Sequence, residues 1–291
     1  FPYTTLFRSG ITYNKYTSFA TDGTPVTVLL GLQVVKGEQI IGAGGADLTL
    51  TGSSGSEDIR GYSGVTPANE TIDGGAGADL VDAGTGDDTV IFDMRDTSLG
   101  GGDGNDTLRI GGTGTVLDLS EAGRPTAGAL RPTITSMETI DINNAQADVI
   151  VLSPASLLAM GNANNTLTLD TNNTDKVFLD GAWAGPVTSG GYDVYTINYT
   201  ANNVTTPLTV KVTSGVTVGT VTHDDANAGS TDDTITGSVN ADVIKPGAGN
   251  DVIVGGAGAD IIDAGVGNDT VTYDGSDLRI FGGEGADTLV V

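Results

Sequence analysis

The sequence predicts an all-β fold, in which parallel β-roll (β-solenoid) blocks alternate with a β-rich spacer domain carrying one short helix. The first observation behind this prediction is a nine-residue repeat that keeps one register from Ala228 to Val290. The second is an upstream copy from Gly74 to Arg109, which aligns with the downstream repeat at a shift of 181 residues, from Gly74 to Gly255. The third is an intervening segment that lacks the repeat but keeps alternating apolar residues.

Each nine-residue block combines a turn with a short strand. Glycine crowds positions one, two and four, Asp occupies position six in six of the seven downstream blocks, and position eight is always aliphatic. Clustered glycines permit tight turns, and the three residues after Asp favour a strand with position eight pointing inward. We therefore expect a right-handed coil of two parallel sheets, with turns eighteen residues apart stacked on the same side.

The stacked turns would present only oxygen ligands. Carboxylates and main-chain carbonyls are hard ligands, which suit Ca²⁺ better than a metal that prefers thiolate or imidazole. The predicted carboxylate ligands are Asp79, Asp88, Asp106, Asp233, Asp242, Asp251, Asp260, Asp269 and Asp287. The predicted carbonyl ligands are those of Gly247, Gly249, Gly256, Gly258, Gly265, Gly267, Gly283 and Gly285, and the carbonyls of the loop that begins at Ala83 are not assigned individually.

The predicted sites differ in completeness. The best-formed pairs, which join glycine-rich loops eighteen residues apart, are Asp251 with Asp269, Asp269 with Asp287, and Asp88 with Asp106. Asp233 and Asp242 lie in weaker loops, because Thr231 and Asn240 replace the glycine of position four. Three pairings are expected to be incomplete, those of Asp79 with Thr97, Asp260 with Leu278, and Asp88 with Glu70.

These repeats resemble a known family. The blocks GGAGADIID, AGVGNDTVT and GGEGADTLV are similar to the glycine-rich nonapeptide GGxGxDxUx of the RTX, or haemolysin-type calcium-binding, proteins. The resemblance implies a parallel β-roll with Ca²⁺ in its turns and export from a bacterium by type I secretion. It covers the two repeat blocks and says less about the segment between them.

The chain is interpreted as about 1.6 copies of a module of roughly 180 residues, the period of an array of domains. Its first nine residues match the translation of a common sequencing-library adapter, so we expect the natural sequence to begin near Gly10, within a longer protein. The expected division is an adapter-derived artefact at 1–9, the tail of a preceding β-rich spacer at 10–51, roll 1 at 52–109, the spacer domain at 110–227 and roll 2 at 228–291.

The spacer is predicted to contain strands, one helix and a hairpin. The strands are expected at Val116–Leu119, Thr139–Ile142, Asp148–Leu152, Thr166–Asp170 and Lys176–Asp180. Ser153 as N-cap, Pro154 at the first helical position and Gly161 as the stop predict a compact helix. Alternation in Tyr192–Thr200 and Pro207–Thr213 predicts a half-buried hairpin. The alternative is a flexible linker, just as the glycine-rich blocks could be disordered linkers.

Composition narrows the classes of function. The chain has 12 Lys and Arg against 37 Asp and Glu, a formal charge of −25, and only six of the acids are Glu. This charge argues against nucleic acid as a partner and predicts a self-repelling chain until cations neutralise it. There is no cysteine, and the longest apolar run, Val26 to Val35, is far too short for a transmembrane segment.

The residues offer little for catalysis. His223 is the only histidine and lies in a polar junction, so a HExxH zinc site is impossible, and the sequence has no GxSxG. Trp183 is interpreted as a packed anchor or turn residue rather than a sugar-stacking platform. We therefore expect no enzyme activity in this segment.

Two classes of function remain open. The first is a calcium-stiffened structural or adhesive segment of a large secreted or surface protein, and the second is an accessory roll of a secreted protease, lipase or polysaccharide-modifying enzyme. The 181-residue duplication favours the first, with an extracellular or bacterial cell-surface location. The residues identify no cell-surface or glycan ligand.

Overall fold

The computed structural model describes residues 39–42, 47–111, 114–120, 132–222 and 232–291. These residues form parallel β-sheets with one α-helix, which confirms the predicted all-β class and the β-roll. The expected adapter segment, most of the expected spacer tail and His223 lie outside the described residues.

The upstream part is a two-sheet roll. Its strands are β1 (Gln39–Ile41), β2 (Thr49–Ser53), β3 (Asp58–Arg60), β4 (Thr71–Gly75), β5 (Leu80–Thr85), β6 (Thr89–Phe92), β7 (Ser98–Asp103) and β8 (Thr107–Ile110). Odd-numbered strands form one parallel sheet and even-numbered strands the other. Thr71 pairs with Thr89, eighteen residues on, whereas Asp58 pairs with Leu80, because four extra residues enter the chain before Gly74.

The aliphatic residue of each upstream block points inward, as the repeat predicts. Ile72, Val90 and Leu108 are fully buried on successive even-numbered strands, while their neighbours along each strand are more exposed. Burying one aliphatic side chain in each strand contributes about 1.5–3 kcal/mol. Together with the buried aliphatic residues of the odd-numbered strands, these side chains form the narrow upstream core.

After β8, the coils of the solenoid are built from three parallel sheets instead of two, and we call these the middle coils. The next strands are β9 (Val116–Leu119), β10 (Thr133–Thr135), β11 (Thr139–Asp141), β12 (Val149–Leu152), β13 (Thr166–Asp170) and β14 (Lys176–Leu179). Strands β10 and β11 continue the two upstream sheets by pairing with β7 and β8, and β9, β12 and β14 form a third parallel sheet. The strands predicted in the spacer are therefore confirmed, and the linker interpretation is wrong for these residues.

Helix α1 (Pro154–Met160) is capped as the sequence predicts. The Ser153 side chain accepts a hydrogen bond from the Ser156 amide, Pro154 begins the helix, and Gly161 adopts the left-handed conformation that ends it. The Met160 carbonyl accepts a hydrogen bond from the Ser136 amide, 2.6 Å away. The helix therefore packs beside β10, where another coil would place a strand. A short 3₁₀ helix, Ala163–Asn165, leads into β13.

A three-stranded antiparallel extension follows. It consists of β15 (Ala184–Ser189), β16 (Tyr192–Ala201) and β17 (Val204–Thr213), and it contains the predicted hairpin. Strand β17 also pairs in parallel with β13, so the second half of this strand completes a coil while β15 and β16 extend the sheet outward.

The downstream roll begins where β18 (Thr217–Thr222) changes partners. Residues 217–220 pair with β14, and residues 221–222 pair with β20. The remaining strands are β19 (Thr234–Thr236), β20 (Val243–Ile244), β21 (Val252–Val254), β22 (Ile261–Asp263), β23 (Thr270–Thr272), β24 (Arg279–Phe281) and β25 (Thr288–Val290). They alternate between two parallel sheets, and every described pairing within the roll joins residues eighteen apart, as predicted.

An apolar cluster and an ion pair join the downstream roll to the third sheet of the middle coils. Val151 and Phe178 pack in one buried cluster with Val243 and other residues of β18, β20 and β22. At its edge, the buried Lys245 ammonium lies 2.8 Å from the Asp118 carboxylate, and the two side chains are 5% and 2% exposed. The outer face of this sheet is therefore covered by the roll that follows it in sequence.

Candidate calcium sites

The glycines of the turns allow successive coils to approach closely. Gly265 has φ of 99°, and a Cβ built on it would lie 1.8 Å from the Gly247 carbonyl oxygen of the preceding coil. Positive φ and close approach both require glycine. All eight glycines predicted to supply carbonyls have φ between 96° and 148°, namely Gly247, Gly249, Gly256, Gly258, Gly265, Gly267, Gly283 and Gly285.

Some of the predicted carbonyl ligands also hold the stack together. The Gly247 carbonyl accepts a hydrogen bond from the Val266 amide at 2.8 Å, and the Gly265 carbonyl accepts one from the Glu284 amide at 2.9 Å. A carbonyl oxygen has two lone pairs. Each of these groups can therefore stabilise the stack and still offer one lone pair to a cation.

The position-six carboxylates form a ladder along the downstream roll. Asp269 Oδ1 accepts a hydrogen bond from the Asp251 amide at 2.8 Å, and Asp287 Oδ1 accepts one from the Asp269 amide at 3.0 Å. Asp251 and Asp260 bind the amides of Asp233 and Asp242 in the same way, both at 2.9 Å. The structure therefore brings together all four downstream pairs, although Asp287 is exposed and Asp233 and Asp242 are only half-buried.

The second oxygen of most ladder carboxylates is buried and lacks a donor. Within the residues that the structure describes, Oδ2 has no hydrogen-bond partner in Asp79, Asp88, Asp106, Asp260 and Asp269. Each of these side chains is at most 1% exposed. A buried carboxylate oxygen that no donor satisfies is costly, so the donor set fits a hard cation between the turns.

The upstream ladder also uses three glutamates. Asp79 Oδ1 accepts a hydrogen bond from the Glu57 amide at 2.7 Å, and Asp88 Oδ1 accepts one from the Glu70 amide at 2.6 Å. Glu138, on the coil after Asp106, accepts a hydrogen bond from the Asp106 amide at 2.8 Å. Sequence reasoning did not assign Glu57 or Glu138, and the signal for Glu138 was the likeness of METID (137–141) to NETID (69–73).

The ladder carboxyls are difficult to ionise without a cation. Burial, followed by the charge of Asp88, raises the pKa of Glu70 to about 8. Burial, with the charges of Asp88 and Glu138, raises the pKa of Asp106 to about 7. Burial, with the charges of Asp277 and Asp242, raises the pKa of Asp260 to about 6. A bound cation would reverse this effect, because it favours the ionised form.

The structure places Thr97 opposite Asp79 and Leu278 opposite Asp260, as the sequence predicts, but each pairing also has a second carboxylate nearby. The main chains of Thr97 and Leu278 do lie opposite, since their amides bind the carbonyls of Asp79 and Asp260 at 2.8 and 2.9 Å. However, the preceding residue in each case is an aspartate, Asp96 or Asp277, and its carboxylate faces the ladder. The reason is a local turn that brings position five of the block to the place where position six lies elsewhere.

The middle coils contain a similar pair whose carboxylates are fully satisfied. Asp175 Oδ1 accepts a hydrogen bond from the Asp148 amide at 3.0 Å. The other oxygen of Asp175 accepts one from the Asn172 amide at 2.7 Å, and Asp148 Oδ2 accepts one from Asn144 Nδ2 at 2.7 Å. Asparagines therefore satisfy here the oxygens that lack donors in the rolls.

Each candidate site is a pair of carboxylates with carbonyls, rather than a compact acidic cluster. Across the described ranges, no three His, Cys, Asp or Glu side chains gather as a metal-binding group. Trp183 is a packed anchor, as predicted, because its Nε1 donates to the Asp180 carbonyl at 2.7 Å and its ring contacts the main core. Among the described helices, none has the length and apolar character needed to cross a membrane.

Comparison with known proteins agrees with this geometry. The model of the RTX calcium-binding nonapeptide repeat (four copies) matches residues 66–93, 218–253, 241–271 and 279–290. No curated protein matches the chain. The matched segments contain all six position-six aspartates of the downstream roll and, in the upstream roll, Glu70, Asp79 and Asp88. These matched segments are therefore RTX-type calcium-binding repeats.

Proposed function

We propose that this chain is a calcium-dependent folding segment of a large secreted or surface protein, with a structural or adhesive role. The observation that carries the proposal is the contrast between two kinds of coil. Asp148 and Asp175 have hydrogen-bond donors for both carboxylate oxygens. By contrast, Asp88, Asp106 and their equivalents bury one oxygen that no donor reaches among the described residues. The rolls therefore require a cation where the middle coils do not.

The energy of folding would come largely from the ion. Stacked carboxylates repel one another in a chain of formal charge −25, and one aliphatic side chain per strand offsets little of the entropy lost by ordering so many glycines. Ca²⁺ held by Asp251 with Asp269, by Asp269 with Asp287 and by Asp88 with Asp106 would remove this repulsion. Its binding free energy then becomes folding free energy.

This linkage favours folding outside the cell. Extracellular calcium modules bind with dissociation constants of about 10⁻⁴ to 10⁻³ M. At the far lower calcium level of a cytoplasm such sites stay empty, and the rolls stay unfolded. We propose that the chain is exported unfolded by type I secretion and folds in the extracellular medium or at the bacterial surface.

Circular dichroism tests the proposal directly. The β-sheet signal should be incomplete in a calcium-depleted buffer, because only the rolls require a cation, and it should rise to a plateau by roughly 5 mM Ca²⁺, above the weakest affinity of about 10⁻³ M expected for such sites. Equimolar Mg²⁺ is the control, because its smaller ion demands octahedral geometry and dehydrates reluctantly. A β-sheet signal that is the same with and without Ca²⁺ would contradict the proposal.

The accessory roll of a secreted enzyme is the alternative. The repeated geometry favours the array, because β24 and β25 recur at the positions of β7 and β8 when the sequence is shifted by 181 residues. We accordingly propose the module order of spacer tail, roll, spacer and roll. Sequencing the flanking regions distinguishes the two: further copies support an array, whereas a HExxH or GxSxG domain supports the enzyme.

A further inference from the structure

We propose that one degenerate nine-residue block in each module, residues 92–100 upstream and 273–281 downstream, builds a calcium site of its own, from Asp79 with Asp96 upstream and from Asp260 with Asp277 downstream. In these pairs the second carboxylate comes seventeen residues after the first and occupies position five, so the nine-residue motif does not contain it. The inference rests on the proposed calcium-dependent folding and adds ligands to the predicted set.

The upstream pair is buried and unsatisfied. The side chains of Asp79 and Asp96 are 0% and 1% exposed. Asp79 Oδ2 and Asp96 Oδ1 are both buried, and neither has a hydrogen-bond donor within the described part of the chain. Two ionised oxygens that face each other away from water require a counter-charge.

A local turn holds Asp96 in this orientation. The Asp93 amide donates to Asp96 Oδ2 at 2.9 Å, and the Arg95 amide donates to Asp93 Oδ1 at 2.9 Å. One oxygen of Asp96 is therefore anchored by its own loop, which leaves the other directed at Asp79. The position-six residue, Thr97, is displaced from the ladder but keeps its main-chain bond to Asp79.

The downstream block repeats this arrangement with a different sequence. The Asp274 amide lies 3.4 Å from Asp277 Oδ2, and the Ser276 amide donates to Asp274 Oδ1 at 2.8 Å. Asp260 Oδ2 and Asp277 Oδ1 are again buried without a donor among the residues described. A Cβ on Gly255 would lie 2.5 Å from the former and 3.2 Å from the latter, so both oxygens approach one point beside a glycine.

Calcium stoichiometry tests the inference. Asp96→Asn and Asp277→Asn remove the charge at nearly constant size, and Asp103→Asn is the matched control because Asp103 is exposed in the same roll as Asp96. At pH 7.5 and saturating Ca²⁺, equilibrium dialysis should show one ion fewer for each variant, two fewer for the double variant and no change for the control. Wild-type stoichiometry in the double variant would overturn the inference.

Crystals of the wild-type chain grown with Tb³⁺ in place of Ca²⁺ give a second readout that needs no variant to fold. An anomalous peak is expected about 2.3–2.6 Å from the ligand oxygens of both pairs, at calcium-like distances. Peaks at Asp251 with Asp269 but at neither new pair would reject these sites and leave the proposed function intact. If the chain folds without calcium, the proposed function fails instead.

Discussion

At the scale of single residues, the position-six aspartate has two roles, one for each oxygen of its carboxylate. In Asp106, Asp260 and Asp269, one oxygen binds the amide of the preceding turn, and the other lies buried without a donor among the described residues. The amide bond fixes the orientation of the side chain, so the free oxygen is directed before any ion arrives. Pre-organisation of this kind reduces the entropy lost on binding.

Asp269 should be the most sensitive single ligand, because it belongs to both best-formed downstream pairs. Asp269→Asn should raise the Ca²⁺ concentration at the folding midpoint roughly tenfold or more, since ligand charge count sets calcium affinity over several decades. Glu284→Gln removes a charge from an exposed side chain in the same roll and should leave the midpoint nearly unchanged. Equal midpoint shifts in both variants, measured by circular dichroism, would assign the effect to net charge alone.

Alanine substitutions at Gly265 and Gly275 distinguish the free-energy cost of a steric clash between coils from the cost of a positive φ. Their φ values are 99° and 93°, but a Cβ on Gly265 would strike the Gly247 carbonyl at 1.8 Å, whereas Gly275 has open space. Gly275→Ala should cost about 1–2 kcal/mol, the strain of a left-handed residue. Gly265→Ala should cost distinctly more, because two coils must also separate. Chemical denaturation at saturating Ca²⁺ measures both, and similar losses would show that stacking is looser than the structure indicates.

Sequence reasoning was most successful where residues keep the nine-residue register. It predicted Asp251, Asp269 and the inward aliphatic residues because period and chemistry coincide there. It did not assign Asp96 or Asp277, although both copies of the degenerate block carry this aspartate, because their role depends on a turn that shifts the register by one residue. Glu138 was missed because thirty-two residues separate it from Asp106.

At the scale of secondary-structure elements, the strands and the helix were predictable but their stacking was not. Local alternation identified β13, and the capping residues identified α1. Strand partners in the middle coils, however, lie 32 residues apart for β8 with β11 and 29 for β11 with β13. Varying loop length hides the coil period from the sequence. The packing of the downstream roll against the third sheet likewise depends on contacts between distant residues.

The buried ion pair of Lys245 and Asp118 should stabilise the packing of the downstream roll against the third sheet. Lys245→Met removes the cation and leaves the Asp118 charge at a buried position, which should destabilise the chain by about 3–5 kcal/mol. The double variant Lys245→Met with Asp118→Leu should recover much of the loss, because apolar replacement of both partners is often close to neutral. Denaturant unfolding at saturating Ca²⁺ measures both. A double variant less stable than the single variant would contradict this account.

At the scale of the whole molecule, the carboxyl ladders are expected to link folding to both calcium and protons. The raised pKa values mean that the ion-free folded state binds more protons than the unfolded chain, whose carboxyls titrate near 3.8 for Asp and 4.5 for Glu. Stability from these groups is therefore fully present below about pH 4. It is lost as the pH rises through the folded values of about 6 for Asp260, 7 for Asp96 and Asp106, and 8 for Glu70.

Two opposite pH effects follow. Without Ca²⁺, lowering the pH from 8.5 to 5 should increase the β-sheet signal, because protonation removes the repulsion between carboxylates. With Ca²⁺, the same change should weaken binding, because each ion must displace protons. Circular dichroism in metal-depleted buffer and calcium titrations at pH 5.5, 7 and 8.5 measure these effects. Calcium affinity that rises as the pH falls would contradict the assignment of these carboxylates as ligands.

The amide-to-carboxylate bonds also make the two ends of the downstream roll chemically different. In every described bond of the downstream ladder the amide belongs to the earlier coil and the carboxylate to the later one. A coil that awaits its successor therefore presents amide donors to water, whereas a coil that awaits its predecessor presents carboxylate acceptors. Water can satisfy either group until the next coil replaces it. The growing stack thus has one donor end and one acceptor end.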